Sequence, residues 1–364
     1  MNDAQDRTPA AASQPRPADV VSPVPSTVTE AVLPGIVDPD GIQLRVRPAR
    51  PAGPGQVVLA MEAAGISFAE QQMRRGKYYD QPPFPFVPGY DVIGQAVDVG
   101  EGVPRDVLGR RFAVLTKTGA WASHVTVDAG DLTEVPGSVD SADAETFVVN
   151  GITAWQMLHR LAKIRPGQRV LVHGANGGVG STLVQLARIA GARVVGTASA
   201  RHHDAVRSLG ATPVDYRAPD LHDRLRAHAP QGYDAVFDHV GGEGIITSYR
   251  LLAAGGTLVS YGTASTRDAQ GSSKAPVLKL FARLMLWNAL PNGKGAHFYN
   301  IWAGRRRLGA FRTKLRADLT QVFTLLADRE LTPQVAARLP LTEVGRAVAL
   351  AESGTVVGKV VLVP

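Results

Sequence analysis

Residues 169–197 read RVLVHGANGGVGSTLVQLARIAGARVVGT, and this stretch limits the fold more than any other. The apolar, β-branched residues 170–172 suit a buried strand. A glycine-dense turn follows, and residues 181–190 then place Leu183, Val184, Leu186, Ala187 and Ile189 at helical spacing. Gly191 suits the left-handed cap that ends a helix, and Val194-Val195 begins a second buried strand. Strand, turn, helix and strand make a βαβ unit, which implies a parallel sheet.

The turn is where the pyrophosphate of a dinucleotide sits. Amides at a helix N-terminus lack partners and the helix dipole favours an anion there. Gly177 allows close approach of the main chain to phosphate, and Gly180 lets the helix lie against the strand. The first glycine of the usual pattern is Ala175, giving A-x-G-x-x-G. An ordinary tight turn is the rival reading; the strands and helix around it favour the nucleotide site. An NAD site wants a carboxylate at the end of the second strand. Here Thr197, Ala198, Ser199, Ala200 and Arg201 stand there, with no acid before Asp204. Hydroxyls and a guanidinium suit a ribose 2′-phosphate, so the expected cofactor is NADP(H). Arg201 as a plain solvated loop residue is the alternative.

At 364 residues and 45% hydrophobic content the chain is long enough for two domains. It has no cysteine, which excludes disulfides, Cys-ligated metals and a thiol nucleophile. No apolar run approaches bilayer length, and the Pro/Ala-rich N-terminus lacks the core of a secretory signal. A cytoplasmic protein without membrane contact is expected. The net charge of +7 raises the question of nucleic acid. Its one dense run, Arg305-Arg306-Arg307 continuing to Arg312, Lys314 and Arg316, lacks interleaved stacking aromatics and reads as a solvated helix face. No nucleic-acid partner is expected.

Residues 1–28 are too polar and Pro-rich to bury a core and are expected to be disordered. Residues 29–149 read as a β-rich domain, with strands near 42–46, 56–61, 92–97, 111–115 and 122–127 and a helix near 68–75. Helices near 142–149 and 153–161 lead into the second domain, 150–303. There strands at 213–216, 235–238, 256–261 and 297–301 alternate with helices at 221–228, 245–252 and 277–289, the pattern of a doubly wound α/β sheet. Residues 304–364 add a helix at 314–327 and a strand, helix and strand at 334–339, 341–351 and 359–363.

Several further motifs occur in order: Ala63-Ala64-Gly65-Ile66-Ser67-Phe68, Pro88-Gly89-Tyr90-Asp91, Gly151-Ile152-Thr153-Ala154, Leu209-Gly210-Ala211, Asp215-Tyr216-Arg217, Val240-Gly241-Gly242 and Gly358-Lys359-Val360-Val361. With the glycine turn, they resemble the medium-chain dehydrogenase/reductase superfamily in its zinc-free quinone oxidoreductase (zeta-crystallin-like) branch. The resemblance runs from about Val32 to the end. It implies a GroES-like catalytic domain, completed by residues 304–364, clasping a Rossmann domain with the active site between them. Zinc-dependent relatives hold their metal with Cys where Ser67 stands and His where Tyr90 stands. Hydroxyl and phenol are poor substitutes, so no metal is expected. Without a Lewis acid, an isolated carbonyl is a hard hydride acceptor, whereas a conjugated one spreads charge onto an oxygen that hydrogen-bond donors can stabilise.

By position, the resemblance implies cofactor contacts from Thr153, from the main chain of Asn176, Gly177, Gly178 and Val179, and from Thr197, Ser199, Arg201 and Tyr216 toward the 2′-phosphate. Val240, Tyr261, Gly262, Phe298 and Tyr299 are expected along the adenosine and nicotinamide path. Ser67 and Phe68 are expected near the nicotinamide ring. Lys359 either faces the cofactor or makes a surface salt bridge. Tyr78 either donates to a developing enolate oxygen or only packs on substrate. Trp121, Tyr90 and Trp287 are candidates for an aromatic pocket wall, or core residues. His173 is expected to brace the turn; His239 either meets the cofactor or makes a loop hydrogen bond. His202-His203 lacks a partner set for a metal. The function implied is NADPH-dependent, zinc-independent reduction of a small-molecule enone, enoyl or quinone, a biosynthetic tailoring step included. The alternatives are an NADPH-binding sensor or adaptor with little turnover, and a non-redox enzyme on the same scaffold. A homodimer through the sheet edge near residues 298–301 is expected from the resemblance alone.

Overall fold

A computed structural model of the chain describes residues 25–78, 80–262, 264 and 274–364. The N-terminal tail, apart from its last few residues, lies outside that range.

The βαβ stretch forms β8 of Arg169–His173, α4 of Gly178–Ile189 and β9 of Arg193–Ala198 once the preceding elements are counted. Those preceding elements are β1 (Thr27–Val32), β2 (Gln43–Pro48), β3 (Gln56–Ile66), α1 (Phe68–Arg74), β4 (Asp91–Val99), β5 (Arg111–Leu115), β6 (His124–Asp128), β7 (Thr133–Glu134), α2 (Ser141–Glu145) and α3 (Val148–Trp155). After β9 come α5 (His203–Ser208), β10 (Thr212–Asp215), α6 (Leu221–His228), β11 (Tyr233–Asp238), α7 (Gly244–Arg250), β12 (Leu252–Ser260), α8 (Lys274–Ala289) and β13 (Gly295–Phe298). The chain ends with α9 (Leu308–Ala327), β14 (Val335–Pro340), α10 (Val344–Glu352) and β15 (Lys359–Val363).

A six-stranded parallel sheet has the order β10-β9-β8-β11-β12-β13. Its direction of winding reverses between β8 and β11, and ligands of such sheets bind in the crevice at that point. The second sheet, β14-β15-β3-β4-β5-β7 with β6 also on β3, is antiparallel except between β14 and β15. The C-terminal strands therefore close on strands laid down about three hundred positions earlier, Val360 facing Ile66. Arg74 on α1 fixes α10 through both carboxylate oxygens of Glu352, at 3.0 and 2.6 Å.

Where structure and expectation differ, tertiary contact is the cause. β1 begins at Thr27, just inside the expected tail of residues 1–28, and Val28 is buried in the core. Helices expected at 142–149 and 153–161 are instead α2, α3 and a π-helical run over Gln156–Ala162. Gly151, which lies between the two expected helices, sits inside α3 where Val322 of α9 packs closely on it. Residues 245–252 end their helix at Arg250, since Leu252 pairs with Tyr233 to start β12. The last strand stops at Phe298, and Tyr299, Asn300 and Ile301 after it line the cleft. The basic run is more than a solvated face. Arg312 binds Asp128 and Asp131 at 2.8 and 2.7 Å, and Arg316 donates to the Leu132 and Gly130 carbonyls. Among the described residues no helix is long and apolar enough to cross a membrane.

Candidate active site

The glycine turn is held from beneath. His173 reaches the Thr197 hydroxyl through Nδ1 at 3.1 Å and the Ser248 hydroxyl through Nε2 at 3.2 Å. Gly174 N–H donates to the same Thr197 hydroxyl, and Ala175 N–H to the Thr197 carbonyl. Burial holds the His173 imidazole below its ordinary pKa, so it serves as a neutral strut. Gly177 is the N-cap of α4 and supplies no side-chain cap, which leaves the first amides of the helix open for an anion. A β-carbon at Gly180 would fall 2.1 Å from the Gly174 carbonyl oxygen, so only glycine fits there. Ala175 is tolerated as the first turn residue because Gly196 stands opposite its methyl group.

The turn opens into a cleft of about 410 Å³ between the two sheets. Of the sequence-derived residues, Ser67, Phe68, Tyr78, Thr153, Asn176, Gly177, Gly178 and Val179 line it, as do Tyr261, Gly262, Phe298, Tyr299 and Lys359. Tyr90 and His239 also line it. Thr197, Ser199, Arg201, Tyr216 and Val240 do not. Thr197 braces the turn, and Val240 N–H is bound to Asp238 at 2.8 Å. Of the proposed aromatic wall, Trp121 is buried with its N–H on the Gly65 carbonyl, and Trp287 stacks on Tyr249 away from the cleft.

On the opposite side of the cleft the Tyr78 and Tyr90 hydroxyls meet, with Ser67 and Glu70 beside them. Ser67 caps α1: its Oγ accepts the Ala69 N–H at 3.1 Å and shares a short hydrogen bond with Glu70. Glu70 is buried, and burial followed by the neighbouring Asp91 raises its pKa. Its other oxygen accepts the Tyr90 N–H at 2.6 Å. The Tyr90 hydroxyl lies 2.9 Å from that of Tyr78 and accepts the indole N–H of Trp302 at 2.5 Å.

Comparison with known proteins places this geometry. A zinc-binding dehydrogenase family model matches residues 209–362, and an alcohol dehydrogenase GroES-like domain model matches residues 53–137. The mouse synaptic vesicle membrane protein VAT-1 homolog is 33% identical over 345 residues, covering 92% of this chain and 83% of its own. The chain belongs to the medium-chain dehydrogenase/reductase superfamily. The human VAT-1 homolog is 40% identical over 238 residues, 64% of this chain, and that match spans only 61% of the human protein. A mycobacterial protein solved in complex with NADPH superposes with a TM-score of 0.78 at 26% identity, covering 93% of this chain and all of that one. A mycobacterial quinone oxidoreductase structure gives 0.76 at 26% identity, with the same coverage.

Zinc-dependent members of the superfamily need soft or imidazole donors where this chain has Ser67 and Tyr90. Both oxygens are engaged, by Glu70 and Ala69 in one case and by Tyr78 and Trp302 in the other. Among the described residues no group of three His, Cys, Asp or Glu is arranged to hold a metal. The donors present do not fit zinc.

The superfamily's Gly-Lys-Val-Val lysine proves to be neither a surface residue nor a free cation. Lys359 is buried, with its ammonium 2.8 Å from Asp91 and 2.6 Å from Glu145. Asp91 also accepts the Val149 N–H at 2.9 Å. Burial alone would lower the lysine pKa, but the two carboxylates hold it above its ordinary value. Gly65 exists for this pair, since a β-carbon there would lie 2.1 Å from Lys359 Cε. Glu145 left no mark in the sequence, because nothing local distinguishes it from an exposed helix acid.

At the carboxyl ends of β9 and β10 the strands bring Ser199 and Tyr216 side by side, Ala198 facing Asp215. Tyr216 is half-exposed, and the Arg217 guanidinium lies 5.3 Å from its ring centre. Arg201 donates to the Gly354 carbonyl at 3.0 Å. Arg217, singled out in the sequence only as part of a motif, adds a second guanidinium beside Tyr216.

Proposed function

We propose that the chain binds NADP(H) and passes hydride to a small conjugated carbonyl acceptor, an enone, enoyl group or quinone, without a metal. One observation carries the reading: an uncapped helix N-terminus and a phenol pair open into the same cleft, with the phenol of Tyr90 standing where a zinc ligand would. The NADPH complex of the mycobacterial relative supports the cofactor, and the quinone oxidoreductase supports the class of acceptor.

The amides of Asn176, Gly178 and Val179 would hold the pyrophosphate, with the Gly177 N–H closing the turn on the Gly174 carbonyl, and Ser199, Arg201, Tyr216 and Arg217 the 2′-phosphate edge. Thr153, Tyr261 and Phe298 would flank the nicotinamide. When bound, the reduced nicotinamide supplies the hydride. Tyr78 donates a hydrogen bond to the acceptor's carbonyl oxygen, where negative charge develops as the β-carbon takes the hydride. The α-carbon then takes a proton from Tyr78 or from water.

The test is loss of nicotinamide absorbance when purified protein and NADPH meet a panel of enones and quinones. Turnover with at least one acceptor is expected. Tight NADPH binding with no turnover on any acceptor would replace this reading with the sensor or adaptor one.

A further inference from the structure

Trp302 lies in none of the sequence motifs, yet from the segment after β13 its indole N–H reaches the phenol of Tyr90, behind the cleft lining that Tyr90 and Tyr78 form. Its ring is held firmly. It stacks on Phe311 at 6.1 Å between centres, and the Arg305 guanidinium lies 5.1 Å from it. Its own backbone N–H binds the Asn300 side chain at 2.9 Å. Three residues earlier Tyr299 donates to Gln156, which donates in turn to the buried Asp318 at 2.7 Å. Tyr90 is equally fixed, its N–H on Glu70 and its carbonyl accepting Thr116 N–H. The Trp302 and Tyr90 rings meet at 5.8 Å, and Tyr90 meets Tyr78 edge-on at 6.3 Å.

We propose that Trp302 is a positioning residue that sets the direction of this chain of hydrogen bonds. An indole N–H can only donate. By occupying the Tyr90 oxygen it polarises the Tyr90 O–H, a cooperative effect that strengthens the next donation. Tyr90 then donates to the Tyr78 oxygen, and the Tyr78 proton points at the carbonyl oxygen of a ligand in the cleft. The opposite order, with Tyr78 donating to Tyr90, would leave the ligand facing a lone pair. This assignment rests on reading the cleft as a carbonyl-acceptor site.

A push–pull enal, p-dimethylaminocinnamaldehyde, tests it apart from turnover, because its visible band moves to the red when its carbonyl oxygen accepts a hydrogen bond. The probe is added to protein saturated with NADP⁺, which has no hydride to give. A red shift is expected with the native chain, absent in Tyr78→Phe and at least halved in both Trp302→Phe and Tyr90→Phe. The double variant should lose no more than either single one, as expected of links in one chain. Trp302→Phe keeps the ring stacked on Phe311, and unchanged NADP⁺ affinity will show that it is folded. With a competent acceptor, Trp302→Phe should cost roughly tenfold in kcat with NADPH affinity unaltered. No shift with the native chain, a shift that survives Tyr78→Phe, or one indifferent to Trp302→Phe overturns the proposal. A band that depends on all three residues in a protein that reduces nothing sinks the hydride-transfer reading and leaves this one standing.

Discussion

The Gly358 N–H donates to the Asn176 carbonyl at 3.1 Å, so the turn facing the cleft is tied directly to the loop that feeds β15. Gly177, the next residue of the turn, forms an isolated parallel bridge with Gly358. The glycine turn and the C-terminal return to the β-rich sheet are thus one unit. Gly358 has φ of 86°, and a β-carbon there would lie 2.0 Å from the Gln334 carbonyl oxygen. Gly358→Ala is expected to cost about 1–3 kcal/mol of stability and to weaken NADPH binding severalfold. Thermal unfolding with and without NADPH measures both; an unchanged ligand-induced shift would deny the coupling.

The buried ammonium of Lys359 predicts a stability defect rather than a binding one. Lys359→Met leaves Asp91 and Glu145 buried without their cation and should cost roughly 3–5 kcal/mol, read as a lower urea midpoint at constant slope. Gly65→Ala should weaken the same pair by crowding it. If Lys359→Met kept its midpoint and lost NADPH affinity instead, the residue would have to be a cofactor ligand.

The edge at Ser199, Arg201, Tyr216 and Arg217 predicts preference for NADPH over NADH of roughly tenfold or more, about the worth of one charge-assisted phosphate contact. Arg201→Ala, Tyr216→Phe and Arg217→Ala should each erode it while leaving NADH affinity nearly unchanged. Titration by nicotinamide fluorescence is sufficient. Equal affinity of the native chain for both cofactors would remove the assignment.

His173 predicts a pH dependence of stability. Its folded pKa lies below the ordinary 6.5 because burial disfavours the imidazolium. The unfolded chain therefore binds the extra proton first, and stability falls as pH drops below 6.5 toward the folded value. His173→Gln, which cannot titrate, should show a shallower loss over that window when melting temperatures are compared. Parallel curves for the two proteins would place the acid sensitivity elsewhere.

What could be read in the residues and what could not divides along sequence distance. The turn over residues 174–180 was legible because a buried strand, glycines and an apolar helical stripe are local signals, each governed by backbone geometry within a few positions. Tyr78 and Tyr90 could be singled out by residue type, but their hydroxyls meet only because the connection between α1 and β4 folds back on itself. Trp302 and Tyr90 are 212 positions apart, and Lys359 and Glu145 are 214 apart.

The sequence by itself determined the parallel sheet, the nucleotide-type turn and the absence of thiol and imidazole at the zinc positions, since these depend on short-range periodicity and side-chain chemistry. Only the tertiary structure decided that Lys359 is buried between two acids, that Arg312 clamps α9 to the β-rich domain, and that an indole from a segment 212 positions away meets the phenol pair. Such contacts depend on where distant segments pack, and no local pattern encodes which acid or aromatic will stand opposite which.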